Sequence, residues 1–563
     1  MTIVSLQGIT KSFGGRLLLE PLHWSVEATA RVGLVGANGT GKSTLLRMIA
    51  GLEPIDDGTI VRRRGLVTAY LAQEVAGDER GVLATVLAAR PDIAAVEAEL
   101  NAVEAELGLP ETMADTERLT AVLERQALLL ERLEALGAPR IRNEAVGYLR
   151  VLNMDEASFD LPTRLLSGGQ RKLVALAGCL LQQPALLLLD EPDTHLDLLH
   201  KRQLETLISE FAGAVVIVSH DRYLLDETVT TIVEIEDRQL HVWDGNYSAF
   251  AVAKEIALLR QQELFVAQQK EIARLEAAIA RFKLWSSIVV NERHIKQARN
   301  KQRQIDRMDK VERPVLERKR MGLQLQPNQR GGQKALELRD VSLAFGDNLV
   351  LLGLSHTFWR GERIGIVGPN GAGKTVLGRL LTEQLALTAG EVWRGPSIDV
   401  GYYAQGHETL EPQATLLQTI RSAKAMYEEQ ATAFLGGFLF PYRMVNQPVA
   451  SLSGGERSRL QLARLMLSGA NCLVLDEPTN HLDIASAEVL ERALAAYSGT
   501  IIVISHDRYF LDRVVDRIVE VDDGALAFYE GGYSAYLEQK ARRRAATPIL
   551  AARTSSVQRV GSR

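Results

Sequence analysis

Gly36-Ala-Asn-Gly-Thr-Gly-Lys-Ser43 and Gly368-Pro-Asn-Gly-Ala-Gly-Lys-Thr375 carry one pattern met twice, at an offset of 332 residues. Ahead of the first copy, Val32 to Val35 is an apolar run of strand length. Behind it, Leu45, Leu46 and Ile49 fall on one face of a predicted helix. A strand, a glycine turn and a helix N-terminus in that order turn backbone N–H groups toward an anion. Gly36, Gly39 and Gly41, with Gly368, Gly371 and Gly373, give the loop that freedom. Lys42 and Lys374 then reach the β and γ phosphates of a nucleotide, and Ser43 and Thr375 ligate Mg²⁺. Asn38, Thr44, Asn370 and Val376 complete the expected nucleotide contacts.

The repeat extends through the chain. Phe13 with Phe345 and Gln73 with Gln405 keep the offset of 332, whereas Ser167 with Ser453, Asp190 with Asp476, His220 with His506 and Tyr247 with Tyr533 are 286 apart. Copy one therefore holds about 46 extra residues between Gln73 and Ser167. Ile93, Val96, Leu100, Val103 and Leu107 step by three and four, Gly108 and Pro110 interrupt them, and Leu119 to Leu136 resume the stripe. The insert, about 92–136, is thus predicted to be an antiparallel helical hairpin. Its net charge of −8 argues against a place along nucleic acid; a solvated face and a protein-docking arm both stay open.

Residues 251–320 read as helical and carry a net charge of +8, and the tail from Lys540 adds seven basic residues and no acidic one. The remainder of the chain sums to −20, so positive charge is concentrated in two places, as a local nucleic-acid contact requires. The expected organisation is a first domain over 1–250, a basic helical linker over 251–334, a second domain over 335–540 and a disordered tail over 541–563.

Leu186 to Leu189 and Leu473 to Leu475 read as buried strands that deliver Asp190-Glu191 and Asp476-Glu477 to their ends. Asp190 and Asp476 are expected to position Mg²⁺ through water. Glu191 and Glu477 are expected to orient the attacking water or take its proton. His220 and His506 each precede Asp-Arg-Tyr. One such histidine alone would read as a packing or capping residue; the repetition favours contact with a γ phosphate. Ser167-Gly168-Gly169 and Ser453-Gly454-Gly455 present a hydroxyl and amides ahead of helices expected to begin near Arg171 and Arg457.

No apolar run reaches membrane-spanning length, and the N-terminus lacks the pattern of a signal peptide, so a cytoplasmic location is expected. Cys179 and Cys472 lie in apolar surroundings that favour packing over disulfide or metal chemistry.

Together these motifs resemble the ABC ATPase superfamily over residues 3–250 and 335–537. The resemblance implies two tandem α/β P-loop ABC domains that close head to tail, as a monomer, around two ATP and Mg²⁺ sites. Site one would join Phe13, Lys42, Ser43, Gln73, Asp190, Glu191 and His220 to Ser453, Gly454 and Gly455. Site two would join Phe345, Lys374, Thr375, Gln405, Asp476, Glu477 and His506 to Ser167, Gly168 and Gly169. Phe13 and Phe345 stand where that superfamily stacks an aromatic on adenine, with core packing as the rival role. Gln73 and Gln405 would join the metal ligands.

The long basic linker, Glu477-Pro-Thr-Asn-His-Leu-Asp483 and the paired Ser-His-Asp-Arg-Tyr runs narrow the resemblance to the ABC-F subfamily. That subfamily implies an ATPase acting on the ribosome near the tRNA exit site, as a translation factor or as an antibiotic-resistance protection protein. Lys283, Trp285, Arg293, Lys296, Arg299, Lys301 and Arg303 would be its candidate contacts with rRNA and tRNA. The ATPase of a membrane transporter and a DNA-associated ATPase are the alternatives. Copy one departs from the subfamily pattern at Asp193-Thr194, where copy two has Thr479-Asn480, so unequal turnover at the two sites is expected.

Overall fold

A computed structural model describes residues 1–288, 292–308, 321–327, 331–346, 348–406 and 408–543. Each copy builds one six-stranded sheet and one three-stranded sheet. In copy one the strand order is Thr68–Leu71, Leu186–Asp190, Ala214–Val218, Arg31–Gly36, Thr231–Glu236 and Gln239–Asp244, with only the last pairing antiparallel. Copy two repeats that order with Val400–Tyr403, Cys472–Asp476, Thr500–Ile504, Arg363–Val367, Arg517–Asp522 and Ala525–Glu530. The inner strands are buried along their whole length because both faces are covered, which is why they read as unbroken Leu, Val and Ile runs. One core lies between the large sheet and its helices, and a second lies against the small antiparallel sheet.

This layering fixes where chemistry can occur. The strand Arg31–Gly36 feeds the helix Lys42–Ala50, and Arg363–Val367 feeds Lys374–Leu381, so both glycine loops sit at the carboxyl ends of parallel strands. Asp190 and Asp476 end strands of the same sheets, one strand removed from those that carry the glycine loops. Both cysteines pack internally as free thiols, and burial pushes each up to about 12.

The insert is a hairpin of Pro91–Leu107 and Thr116–Ala135 with the short helix Pro110–Ala114 between them. Val96, Val103, Val122 and Leu129 make its own small core. Asp115 caps the second arm by accepting from the Glu117 and Arg118 N–H groups.

The first linker helix runs from Tyr247 to Ile288, starting ahead of residue 251 where the helical linker is expected to begin, and spans about 63 Å. Tyr247 and Phe250 anchor its start in the copy-one core. The return helix, Glu292–Asp306, packs on it through Leu275, Ile279, Ala298 and Ile305. It ends short of Lys310, which lies outside the described residues, as do 289–291 of the tip and 544–563 of the tail. Met321, Leu323 and Leu325 are buried in copy two.

Candidate functional site

Each glycine loop is shaped by backbone that side chains would prevent. Gly36, Gly39 and Gly41 have φ of 152°, 78° and 101°, and Gly368, Gly371 and Gly373 have 152°, 85° and 90°. A Cβ on Gly36 would sit 2.7 Å from the Ile235 carbonyl oxygen. Within the loops the Lys42 ammonium donates to the Gly36 and Ala37 carbonyl oxygens at 2.8 and 3.0 Å. Lys374 does the same to Gly368 and Pro369 at 2.9 and 2.7 Å. Burial pushes both ammonium pKa values down, against the nearby carboxylates of Glu191 and Glu477.

Strand ends deliver the acids in a strained form. Glu191 and Glu477 have φ of 48° and 49°, left-handed values that non-glycine residues adopt at a cost. The His220 Nε2 lies 3.8 Å from Glu191 Oε1, and His506 Nε2 lies 3.7 Å from Glu477 Oε1. Burial, then the Walker lysine of the same site, pushes His220 down to about 4 and His506 down to about 3, so both imidazoles are neutral at pH 7. Burial raises Glu191, with Asp193 and Asp190 adding to it. Glu477 is pushed up to about 8 by burial and Asp476, and Asp476 is pushed up to about 6 by burial.

Ser167 and Ser453 do not precede their helices by four residues as expected from starts near Arg171 and Arg457. The helices begin at Gly168 and Gly454, and each serine is the N-cap of a capping box closed by Gln170 or Glu456. Glycine's poor helix propensity suggests a later start, but in the first turn the cap supplies the stabilisation. The open amides at each signature are therefore those of a helix N-terminus.

The two copies meet reciprocally. Asn38 Nδ2 donates to the His481 carbonyl at 3.2 Å, and Asn370 Nδ2 donates to the His195 carbonyl at 3.2 Å. The Asn38 N–H reaches Asp483 Oδ2 at 3.4 Å, and the Asn370 N–H reaches Asp197 Oδ2 at 3.2 Å. A Cβ on Gly455 would lie 3.3 Å from Asn38 Nδ2, which sets the copy-two signature directly against the copy-one glycine loop. Behind these clips Arg222 pairs with Glu491 and Arg508 with Glu205, all four largely buried. Arg222 also lies 4.0 Å from the Tyr509 ring centre and Arg508 lies 4.8 Å from that of Tyr223.

A single cleft of about 1630 Å³ runs between the copies. Phe13, Asn38, Gly39, Gly41, Lys42, Ser43, Thr44, Gln73, Glu191 and His220 line it with Ser453, Gly454 and Gly455. Phe345, Asn370, Gly371, Gly373, Lys374, Thr375, Val376, Gln405, Asp476, Glu477 and His506 line it with Ser167, Gly168 and Gly169. Phe13 and Phe345 are 49% and 53% exposed at its edge, which removes core packing as their role. Gly36, Gly368 and Asp190 stand behind the lining. Asp190 accepts from Ser43 Oγ and Tyr70 Oη, each at 3.1 Å.

The residues fit a phosphate-bound divalent ion. Among the described residues neither carboxylate oxygen of buried Asp476 has a close hydrogen-bond partner, nor does Glu477 Oε1, and the Thr375 hydroxyl faces Asp476. Among the described residues no three His, Cys, Asp or Glu converge enough to hold a metal unaided, so an ion here would depend on phosphate oxygens.

The interdomain partners His195, Asp197, His481, Asp483, Arg222 and Arg508 were missed as site residues. Their signal was the repetition of His-Leu-Asp and Asp-Arg-Tyr in both copies. On the linker, Lys283, Lys296, Arg299 and Arg303 are exposed and Lys301 is half-buried. The side chains of Trp285 and Arg293 lie outside those described. No described helix is long and apolar enough to cross a membrane.

A family model described as ABC transporter matches residues 19–194 and 351–480, and a second of the same description matches 233–325. The ATP-binding protein YdiF of Bacillus subtilis is 34% identical over 542 residues, covering 96% of this chain and 83% of that protein. ABC transporter F family member 5 of Arabidopsis thaliana is 33% identical, covering 95% of this chain and 77% of that protein. The energy-dependent translational throttle protein EttA of Haemophilus influenzae is 33% identical and covers 93% of each. Among solved structures, an archaeal ribosome recycling factor in complex with a ribosomal stalk protein aligns with a TM-score of 0.58 at 19% identity, covering 92% of this chain and 88% of that one. That likeness is one of fold.

Proposed function

The chain belongs to the ABC-F family of tandem ATP-binding proteins, and on that premise we propose that it hydrolyses ATP at two composite sites and uses their closure to act on translating ribosomes. The observation that carries the ATPase reading is the reciprocal clip, Asn38 on His481 and Asn370 on His195, which sets each glycine loop beside the other copy's signature.

In this reading Lys42 and Lys374 exchange their carbonyl partners for phosphate oxygens. Phe13 and Phe345 stack on adenine, and the helix N-termini at Ser167 and Ser453 face the γ phosphate across the cleft. Mg²⁺, held by Ser43, Gln73 and Asp190 or by Thr375, Gln405 and Asp476, would neutralise phosphate charge in the transition state. Neutral His220 and His506 can each offer one hydrogen bond to the γ phosphate. Glu191 and Glu477 orient the attacking water and take its proton.

The ribosomal reading rests on the basic return helix and on relatives such as the translational throttle protein. Lys283, Trp285, Arg293, Lys296, Arg299, Lys301 and Arg303 would meet RNA near the tRNA exit site while the tip points inward. The test is cosedimentation of the Glu191→Gln, Glu477→Gln protein with ribosomes. Retention that requires ATP is expected, and ATP-independent or absent comigration would sink the reading. Drug susceptibility of cells with and without the chain separates ribosome protection from a general translation factor.

A further inference from the structure

At the offset of 286 most of the interface repeats, including Arg222 with Arg508, Glu205 with Glu491 and Asp221 with Asp507. Among the charged positions that do not repeat are three of copy one. Lys172, Asp193 and Lys201 stand where copy two has Ser458, Thr479 and Ala487. Lys172 and Lys201 are buried, with Lys201 only 8% exposed, and a buried ammonium needs paired negative charge and hydrogen bonds.

Lys201, in the first turn of the helix Leu198–Glu210, has both. Its Nζ donates to Asp221 Oδ2 at 2.8 Å within copy one. It also crosses the interface and donates to the His506 carbonyl oxygen at 3.1 Å. His506 is the residue that faces Glu477 twice, through its imidazole and through its N–H, which donates to Glu477 Oε2 at 3.3 Å. Asp193, half-buried at the cleft, is tied down by Ser219 Oγ at 2.7 Å, and that oxygen also accepts from the Asp221 N–H at 2.8 Å. Asp193 supplies charge to both lysines, which accounts for an aspartate where copy two has threonine. Ala487, a methyl group, cannot return such a bond to His220.

We propose that Lys201 is a positioning residue of site two, supplied in trans by copy one: it holds His506 against Glu477, with Asp221 and Asp193 holding the ammonium, and site one has no equivalent. The proposal rests on the reading of Glu191 and Glu477 as the hydrolytic groups of two composite sites. The copies are then unequal by construction, because the lysine beside Glu477 comes from the other copy, whereas the lysine beside Glu191, Lys172, comes from its own copy and donates to the Glu191 carbonyl.

Single-turnover ATP hydrolysis by the full chain tests this. The Glu191→Gln background reports site two and the Glu477→Gln background reports site one. Into each go Lys201→Ala and the double change Asp193→Thr, Lys201→Ala, which installs the copy-two pair and leaves Asp221 with Arg508 at 3.8 Å as its remaining cation. Both are expected to slow site two about tenfold at saturating ATP, the effect of one charge-assisted hydrogen bond, without raising the ATP concentration for half-saturation. For Lys201→Ala site one should stay within about twofold; the double change also removes the Asp193 charge beside Glu191, so it is read at site two. Equal slowing in both backgrounds, as from a general packing defect, or an unchanged site two, would overturn the proposal alone. Parental turnover in the Glu191→Gln, Glu477→Gln protein would overturn the site assignment and the proposal with it.

Discussion

Site one and site two share a frame and differ in what touches their carboxylates. In both, a lysine bridges two loop carbonyls, a left-handed glutamate faces a neutral histidine, and an asparagine clips the opposite copy. In site one, Ser43 and Tyr70 hold Asp190, and the Thr194 hydroxyl lies 3.4 Å from Glu191 Oε2. In site two, among the described residues, Asp476 has no close hydrogen bond beyond the facing Thr375, Glu477 is faced by the His506 imidazole and accepts from the His506 N–H at 3.3 Å, and Lys201 arrives from the other copy. A duplicated frame thus preserves the phosphate grip while a few substitutions change how each acid is held. The buried, sparsely bonded Glu477 is the more strongly raised of the two glutamates, through burial and then Asp476.

The sharpest way to break that comparison is to disable the two glutamates. Phosphate release by the Glu191→Gln, Glu477→Gln protein should fall about 100-fold or more, the range for a lost general base. The two single variants should lose unequal amounts, and equal losses would erase the distinction. Next in size is the buried interface. Arg222→Ala leaves Glu491, whose side chain is 2% exposed, with Arg513 at 3.1 Å as its remaining partner, and should cost about 2 kcal/mol in urea unfolding. Arg508→Ala should cost a similar amount, since Glu205 loses its partner but is 14% exposed and can reach water.

A smaller effect is acid sensitivity. An unfolded imidazole takes its proton near pH 6.5, whereas His220 does so at about 4 and His506 at about 3 in the fold. Below about pH 6.5 the unfolded chain therefore binds more protons, and stability present above that pH is lost as pH falls toward 4. Unfolding midpoints of the His220→Gln, His506→Gln protein should fall less steeply over that window than the parent's. The smallest effect probes what the sites share. Asn38→Ala and Asn370→Ala should each weaken closure by about 1 kcal/mol, read as equal rises in the ATP concentration for half-saturation. Unequal rises would place asymmetry in the clip as well.

Much of this was legible because local periodicity and repetition carry it. The glycine loops announced a strand before and a helix after, and the change of offset from 332 to 286 located the insert whose 3–4 stripe made the hairpin. Helix boundaries were less legible. The start at Gly168 rather than Arg171 depends on a capping box, although the Ser-x-x-Gln and Ser-x-x-Glu spacing was present to find it. The start of the linker helix at Tyr247 depends on aromatic packing against the first domain.

The sequence by itself determined the duplicated phosphate-binding chemistry, the two helical insertions and the odd Asp193-Thr194 segment, because each is written in neighbouring residues or in the repeat. Only the tertiary structure decided which groups meet. Asn38 and Asp483 are 445 residues apart and Lys201 and His506 are 305 apart, and nothing in local pattern sets such contacts. Head-to-tail packing of the two copies sets them, and the same packing turns a substitution in copy one into a property of the site in copy two.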